Sequence, residues 1–156
     1  AITRTDPRHP NRDVLSARLR KMQGNKFEHT GDEGDLDIAW VWAMDGMDKT
    51  SRNTIDYATA CSISGSIFFK RFKRIGDLGD LQKAIEHGEE ALAATPQDPP
   101  NRAIWQSKLA AWLEARFERI GDLGDLQKAI EHGEEGLAAT PQDHPSRATR
   151  KIYLGT

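Results

Sequence analysis

A single cysteine, Cys61, in 156 residues excludes an intrachain disulfide framework and any multi-cysteine zinc pattern. Long apolar runs are missing too. Nothing approaches the roughly 18 consecutive apolar residues that suggest a membrane span, and the first residues lack the basic-then-apolar layout of a secretory signal. Charge of one sign is not in excess: 22 Lys and Arg against 24 Asp and Glu leave a net charge of −2, so bulk electrostatics favours neither nucleic acid nor an anionic membrane. Aromatic residues make up only 7% of the chain, a sparse supply for base stacking. No Ser/His/Asp constellation, phosphate-cradling glycine loop or zinc-ligand spacing is present. These absences lead us to expect a non-enzyme without cofactor or resident metal, in the reducing cytoplasm.

What is present is repetition. Residues 74–98 (RIGDLGDLQKAIEHGEEALAATPQD) recur as residues 119–143, differing only at Ala91 versus Gly136. The step is 45 residues, and the same step backwards carries Phe117 to Phe72 and Phe27, and Gly121-Asp122 to Gly76-Asp77 and Gly31-Asp32. A more divergent copy therefore precedes the twins. Self-similarity at such a period marks a stack of identical supersecondary units. The division expected is a linker at 1–10, repeats at 11–50, 51–97 and 98–142, and the start of a fourth repeat or a capping helix at 143–156. A start without Met and a stop inside a repeat read as part of a longer protein.

Each copy predicts two helices. In the last one, Leu109, Leu113, Phe117 and Ile120 form an apolar stripe over about residues 102–119. Gly121 suits a left-handed C′ position, and Asp122 suits the N-cap of a second helix running to about Ala139, before Pro141. That second helix shares Leu126, Ala129, Ile130, Gly133 and Leu137 on one face. In the middle copy the first helix should start near Thr54, and its small core residues Cys61, Ser64 and Gly65 predict looser packing. The first copy predicts helices at about 11–29 and 35–48, with Trp40 and Trp42 pointing some 200° apart, so one of them needs a cover of linker or of another domain. Residues 147–156 begin a seventh helix. The fold class expected is all-α: a right-handed α-solenoid of three antiparallel helical hairpins plus that partial helix.

The hairpin period, the small residue at Ala110 and Gly65, Ala129 and Ala84 in the second helix, and the closing Pro141 and Pro96 resemble the tetratricopeptide repeat. The 45-residue step, with Thr140–Arg147 and Arg116–Leu123, is similar to the extended repeats of fungal tetratricopeptide proteins and, more distantly, of kinesin light chains. In such fungal proteins the arrays accompany NOD-like switch domains or caspase-like protease domains. The resemblance implies a ligand-sensing or scaffolding array that binds a protein or peptide. The Asn-and-Lys carboxylate clamp of chaperone-binding members is not recognisable.

A solenoid of hairpins presents the first helices of successive units on its concave face. Candidate partner-binding residues there are Trp105, Lys108, Trp112, Arg116 and Arg119 in the last copy, Ile67, Arg71 and Arg74 in the middle one, and Arg18, Met22 and Lys26 in the first. Apolar anchors beside a basic ladder suit a partner with apolar side chains and acidic flanks. The alternative places Trp105 and Trp112 between adjacent hairpins and pairs the arginines with the acidic second helices (Glu86, Glu89, Glu90; Glu131, Glu134, Glu135). Truncated solenoid ends also allow self-association or a spacer role, giving a homo-oligomer. The pattern Glu86-His87 with Glu90, repeated as Glu131-His132 with Glu135, sets His and carboxylate one turn apart, a weak metal set on one exposed helix that duplication alone explains. The Gly-Asp loops cap helices rather than bind calcium. Cys61 reads as a small buried hydrophobe.

Overall fold

The computed structural model describes residues 18, 22, 25, 26, 29, 30, 32–49, 52, 54–95 and 99–139. The expected linker at 1–10, the seventh helix, Pro141 and the side chain of Trp42 lie outside these residues. Among the described residues the chain is all-α. Five helices follow in order: α1 (Glu33–Lys49), α2 (Ile55–Ile75), α3 (Leu78–Ala94), α4 (Pro99–Ile120) and α5 (Leu123–Ala138). Each packs on the next.

The helix ends follow the local chemistry of the sequence. The Thr54 side chain accepts from the Tyr57 N–H at the start of α2, which begins where the sequence places it. Gly76 and Gly121 close α2 and α4 with φ of 83° and 75°, a left-handed conformation that a Cβ would oppose. Asp77 and Asp122 then cap α3 and α5, their carboxylates accepting from the N–H of Gly79 and Gly124 at 2.8 Å. Asp32 repeats the arrangement on Gly34 at 2.9 Å. The helix α4 starts at Pro99, earlier than the expected residue 102, because proline in a first helical turn sacrifices no hydrogen bond.

The core lies where α4 packs across α3 and α2. Leu109 and Leu113 are fully buried, as the stripe predicts, but Trp105 and Trp112 are buried beside them, while Ile120 is half exposed. A helix between its own partner and the preceding hairpin has to bury two sides, so a single stripe understates what it hides. Trp112 fills the space left by two glycines. A Cβ on Gly65 would stand 2.7 Å from two carbons of its ring, and one on Gly88 would stand 3.0 Å from Cζ3. At Gly65 the expected loose packing of the middle copy is thus corrected: the missing side chain is a socket for the next copy's tryptophan, and Cys61 and Ser64 are fully buried.

Trp40 also finds a partner within the chain. Its ring meets Phe68 edge-on at 6.4 Å, with the opposite demands on Phe68 met by His87, stacked at 5.6 Å, and by the Lys83 ammonium, 5.3 Å from the ring centre.

Candidate functional site

The basic ladder expected on the concave face is largely an internal one. Lys26, Arg71 and Arg116 stand 45 residues apart, and each meets a carboxylate that is also repeated at that step: Asp35, Asp80 and Asp125. The three aspartates are buried, one turn beyond the capping Asp of each trailing helix. Lys26 Nζ donates to Asp35 at 2.8 Å, and Thr30 donates to the other carboxylate oxygen at 3.1 Å. Arg116 grips Asp125 with both Nε and Nη2, at 2.7 and 2.5 Å, and also donates to Gln82 of the preceding hairpin. Arg71 is the loose member, 3.4 Å from Asp80.

The acidities follow the geometry. The Arg116 hydrogen bond, more than the opposing burial, holds the Asp125 carboxyl below the usual range, and the Lys26 hydrogen bond does the same for Asp35. At Asp80 burial outweighs the attraction of Arg71, and the carboxyl is pushed up. Each of these cations pairs with an aspartate at the turn of its own hairpin, while the Lys26 and Arg71 side chains stay 60% and 43% exposed and that of Arg116 only 19%. Their counterions are first-turn aspartates rather than the glutamates named as the alternative.

Of the other candidates, Trp112 is in the core against Gly65 and Gly88, which removes it as a surface anchor. Arg18, Met22, Arg74 and Arg119 are exposed. Trp105, Ile67 and Lys108 come together. They line a groove of about 450 Å³ that crosses the leading helices of all three copies. Asn25 reaches it from the first copy, Thr59, Ile63 and Lys70 from α2, and Asn101 from α4. Trp105 and Ile67 are almost wholly buried and form the groove's floor with only a rim of surface. Lys108 Nζ is held by the Ser62 and Ser66 hydroxyls, at 3.3 and 3.1 Å, across the seam between hairpins.

Ile63 lies on the expected ladder, one period before Lys108. The groove residues that sequence reasoning missed are Asn25, Thr59, Ser62, Ser66, Lys70 and Asn101. Polar residues at such positions carry no apolar periodicity, so the stripe alone does not find them.

A second polar cluster joins α2 to α3. The Tyr57 hydroxyl donates to Glu90 at 2.8 Å and the Cys61 thiol lies 3.8 Å from the same carboxylate oxygen. Burial pushes the Cys61 thiol up to about 12. It lowers His87, whose Nδ1 is buried without a hydrogen-bond partner.

No protein-family model matches the chain, and no curated protein matches it. Among the described residues no helix is long and apolar enough to cross a membrane.

Proposed function

We propose that the chain is a non-catalytic module that binds a protein or peptide, built as a right-handed solenoid of extended tetratricopeptide-type hairpins and serving as the sensing or scaffolding array of a larger, fungal-type cytoplasmic protein. The observation that carries this reading is the groove crossing the leading helices of three successive copies. A surface assembled from equivalent helices of stacked units is where repeat arrays seat extended partners. Its volume accommodates a few side chains. Its chemistry is mixed: Ile63, Ile67 and Trp105 offer apolar contact, Asn25 and Asn101 carry amides that can both donate to and accept from a peptide backbone, and Lys70 and Lys108 supply positive charge. An apolar side chain flanked by carboxylates complements that lining.

The test uses a displayed library of extended peptides with acidic positions flanking one apolar residue, selected on the whole chain. Ile63→Glu combined with Lys70→Glu should lower the affinity of selected peptides at least about tenfold, equivalent to 1.4 kcal/mol, with unchanged helical circular dichroism. Capture that is equal for wild type and double variant sinks the reading.

One observation favours self-association as a second reading. Ile75 and Leu78 in one hairpin and Ile120 and Leu123 in the next flank the turns, and all four are exposed, Leu123 to 72%. Apolar residues repeated at the turns suit contact with a second copy. Mass measured by light scattering across a concentration series decides: a monomer throughout excludes it.

A further inference from the structure

The sequence offers His87 and Glu90 as a weak pair on one helix, and Cys61 as a lone thiol 26 residues earlier. The fold brings the three together. One donor atom from each lies within 4.8 Å of the other two, with Cys61 fully buried, His87 half-buried and Glu90 exposed. We propose that Cys61, His87 and Glu90 form a binding site for one zinc-class divalent cation.

The donor set carries the argument. Thiolate, imidazole and carboxylate together suit zinc, whereas magnesium and calcium take oxygen ligands. Donors on a tetrahedral zinc stand roughly 3.5 Å apart, given bonds of about 2.0–2.3 Å. The Cys61 sulfur and the Glu90 oxygen are 3.8 Å apart, so this edge of the tetrahedron is nearly formed. The third donor, from His87, lies within 4.8 Å of both and has to close by about 1 Å to complete the tetrahedral spacing. Binding releases the thiol proton to solvent. Thiolate and carboxylate then balance the two positive charges, and the imidazole stays neutral.

Two surrounding features fit. The Tyr57 hydroxyl donates to Glu90 at 2.8 Å and so orients the carboxylate toward Cys61, the kind of outer contact that supports metal ligands. Glu90 is exposed, which gives the cation a way in and leaves a fourth position for water or for a donor from a partner. The duplication supplies a contrast. His132 and Glu135 repeat His87 and Glu90, and His132 Nδ1 is equally without a partner, but Gln106 stands where Cys61 does and donates to Glu135 at 2.5 Å. The orphaned imidazole nitrogen is therefore common to both copies, while the thiol that completes a ligand set belongs to one.

The experiment titrates the reduced full chain with Co²⁺ as an optical probe. The expected result is one equivalent bound, with a thiolate-to-cobalt charge-transfer band and the visible bands of tetrahedral cobalt, all bleached by one equivalent of Zn²⁺. Cys61→Ser should abolish the charge-transfer band. Should that core variant fail to fold, Glu90→Gln at the exposed ligand decides, and it should weaken Zn²⁺ at least about tenfold in competition with a chromophoric chelator. The proposal is overturned if wild type shows no charge-transfer band, or if Glu90→Gln binds Zn²⁺ as tightly as wild type.

Discussion

Trp112 of α4 occupies the space that Gly65 of α2 leaves open, with Cη2 and Cζ3 of its ring 2.7 Å from where a Cβ would stand and the Ala84 carbonyl oxygen 3.0 Å from the same point. Neither the buried ring, which also meets Phe69 at 6.0 Å between ring centres, nor the backbone of α3 can yield cheaply. Gly65→Ala should therefore destabilise the chain by about 1–3 kcal/mol through overpacking, although alanine is the better helix former. Trp112→Ala should cost about 3–5 kcal/mol. Urea unfolding of both variants and of the pair checks this, and the double variant should lose less than the sum because the alanine no longer meets the ring.

Asp125 and Asp80 are twins in sequence and opposites in environment. Asp125 is held at two points by Arg116, whereas Asp80 is buried with Arg71 farther off. Asp125→Asn should cost about 2 kcal/mol, the usual scale for a hydrogen bond to a charged group. Asp80→Asn should cost distinctly less. The pH dependence carries opposite signs. Asp125 has a depressed pKa in the folded state, so its contribution is present above the ordinary carboxylate range and fades as pH falls through the folded value. Asp80 has a raised one, so its contribution is present at low pH and fades as pH rises through the folded value. Denaturation midpoints from pH 3 to 7 for the two variants against wild type distinguish them.

Most of the helical layout was legible from the chain because caps, glycine C′ residues and the 45-residue step are local or periodic signals. What escaped was whatever depends on a neighbouring unit. Trp112 reads equally as a surface anchor or as a wedge between adjacent hairpins until Gly65 and Gly88 are set opposite it, and the structure takes the second. Lys26, Arg71 and Arg116 read as a ladder either open to a partner or paired with helix glutamates until the same step is applied to Asp35, Asp80 and Asp125, which the sequence did permit. Cys61 and Glu90 could not be joined by any spacing rule, because helix packing alone sets the phase between α2 and α3.

His132 provides a pH test independent of the aspartates. Burial lowers its pKa against the raising pull of Glu135 and Glu131 on its own helix and Glu89 on α3, and Arg102 on α4 adds to the lowering. A depressed folded value means that stability is intact above the ordinary histidine pKa and declines as pH falls below it, when the unfolded chain takes the proton more readily. Replacing His132 by Gln should flatten the fall in melting temperature between pH 7 and 5. An unchanged slope would assign that fall elsewhere.

Arg102 tests how one unit is fastened to the next. The helix α3 has no basic residue in its last turn, and at its end Thr95 donates its N–H to the Leu92 carbonyl at 3.4 Å and its hydroxyl to the Ala91 carbonyl at 3.1 Å. Arg102, from the first turns of α4, donates through Nη1 to the Leu92 carbonyl at 2.8 Å and lies 3.4 Å from the Thr95 carbonyl. The guanidinium thus caps the preceding hairpin and complements the negative end of its dipole. Arginine recurs at residues 12, 102 and 147 after each proline-containing opener, which gives this contact a sequence signature. Arg102→Ala should lower stability by about 1–2 kcal/mol, and Arg102→Lys should recover only part of it, since both carbonyls are reached by the terminal Nη1 of a longer side chain and an ammonium is the more strongly hydrated group. Amide exchange should locate the effect: faster exchange near the end of α3 supports the cap, whereas a uniform change along the chain would place the arginine's contribution in general packing.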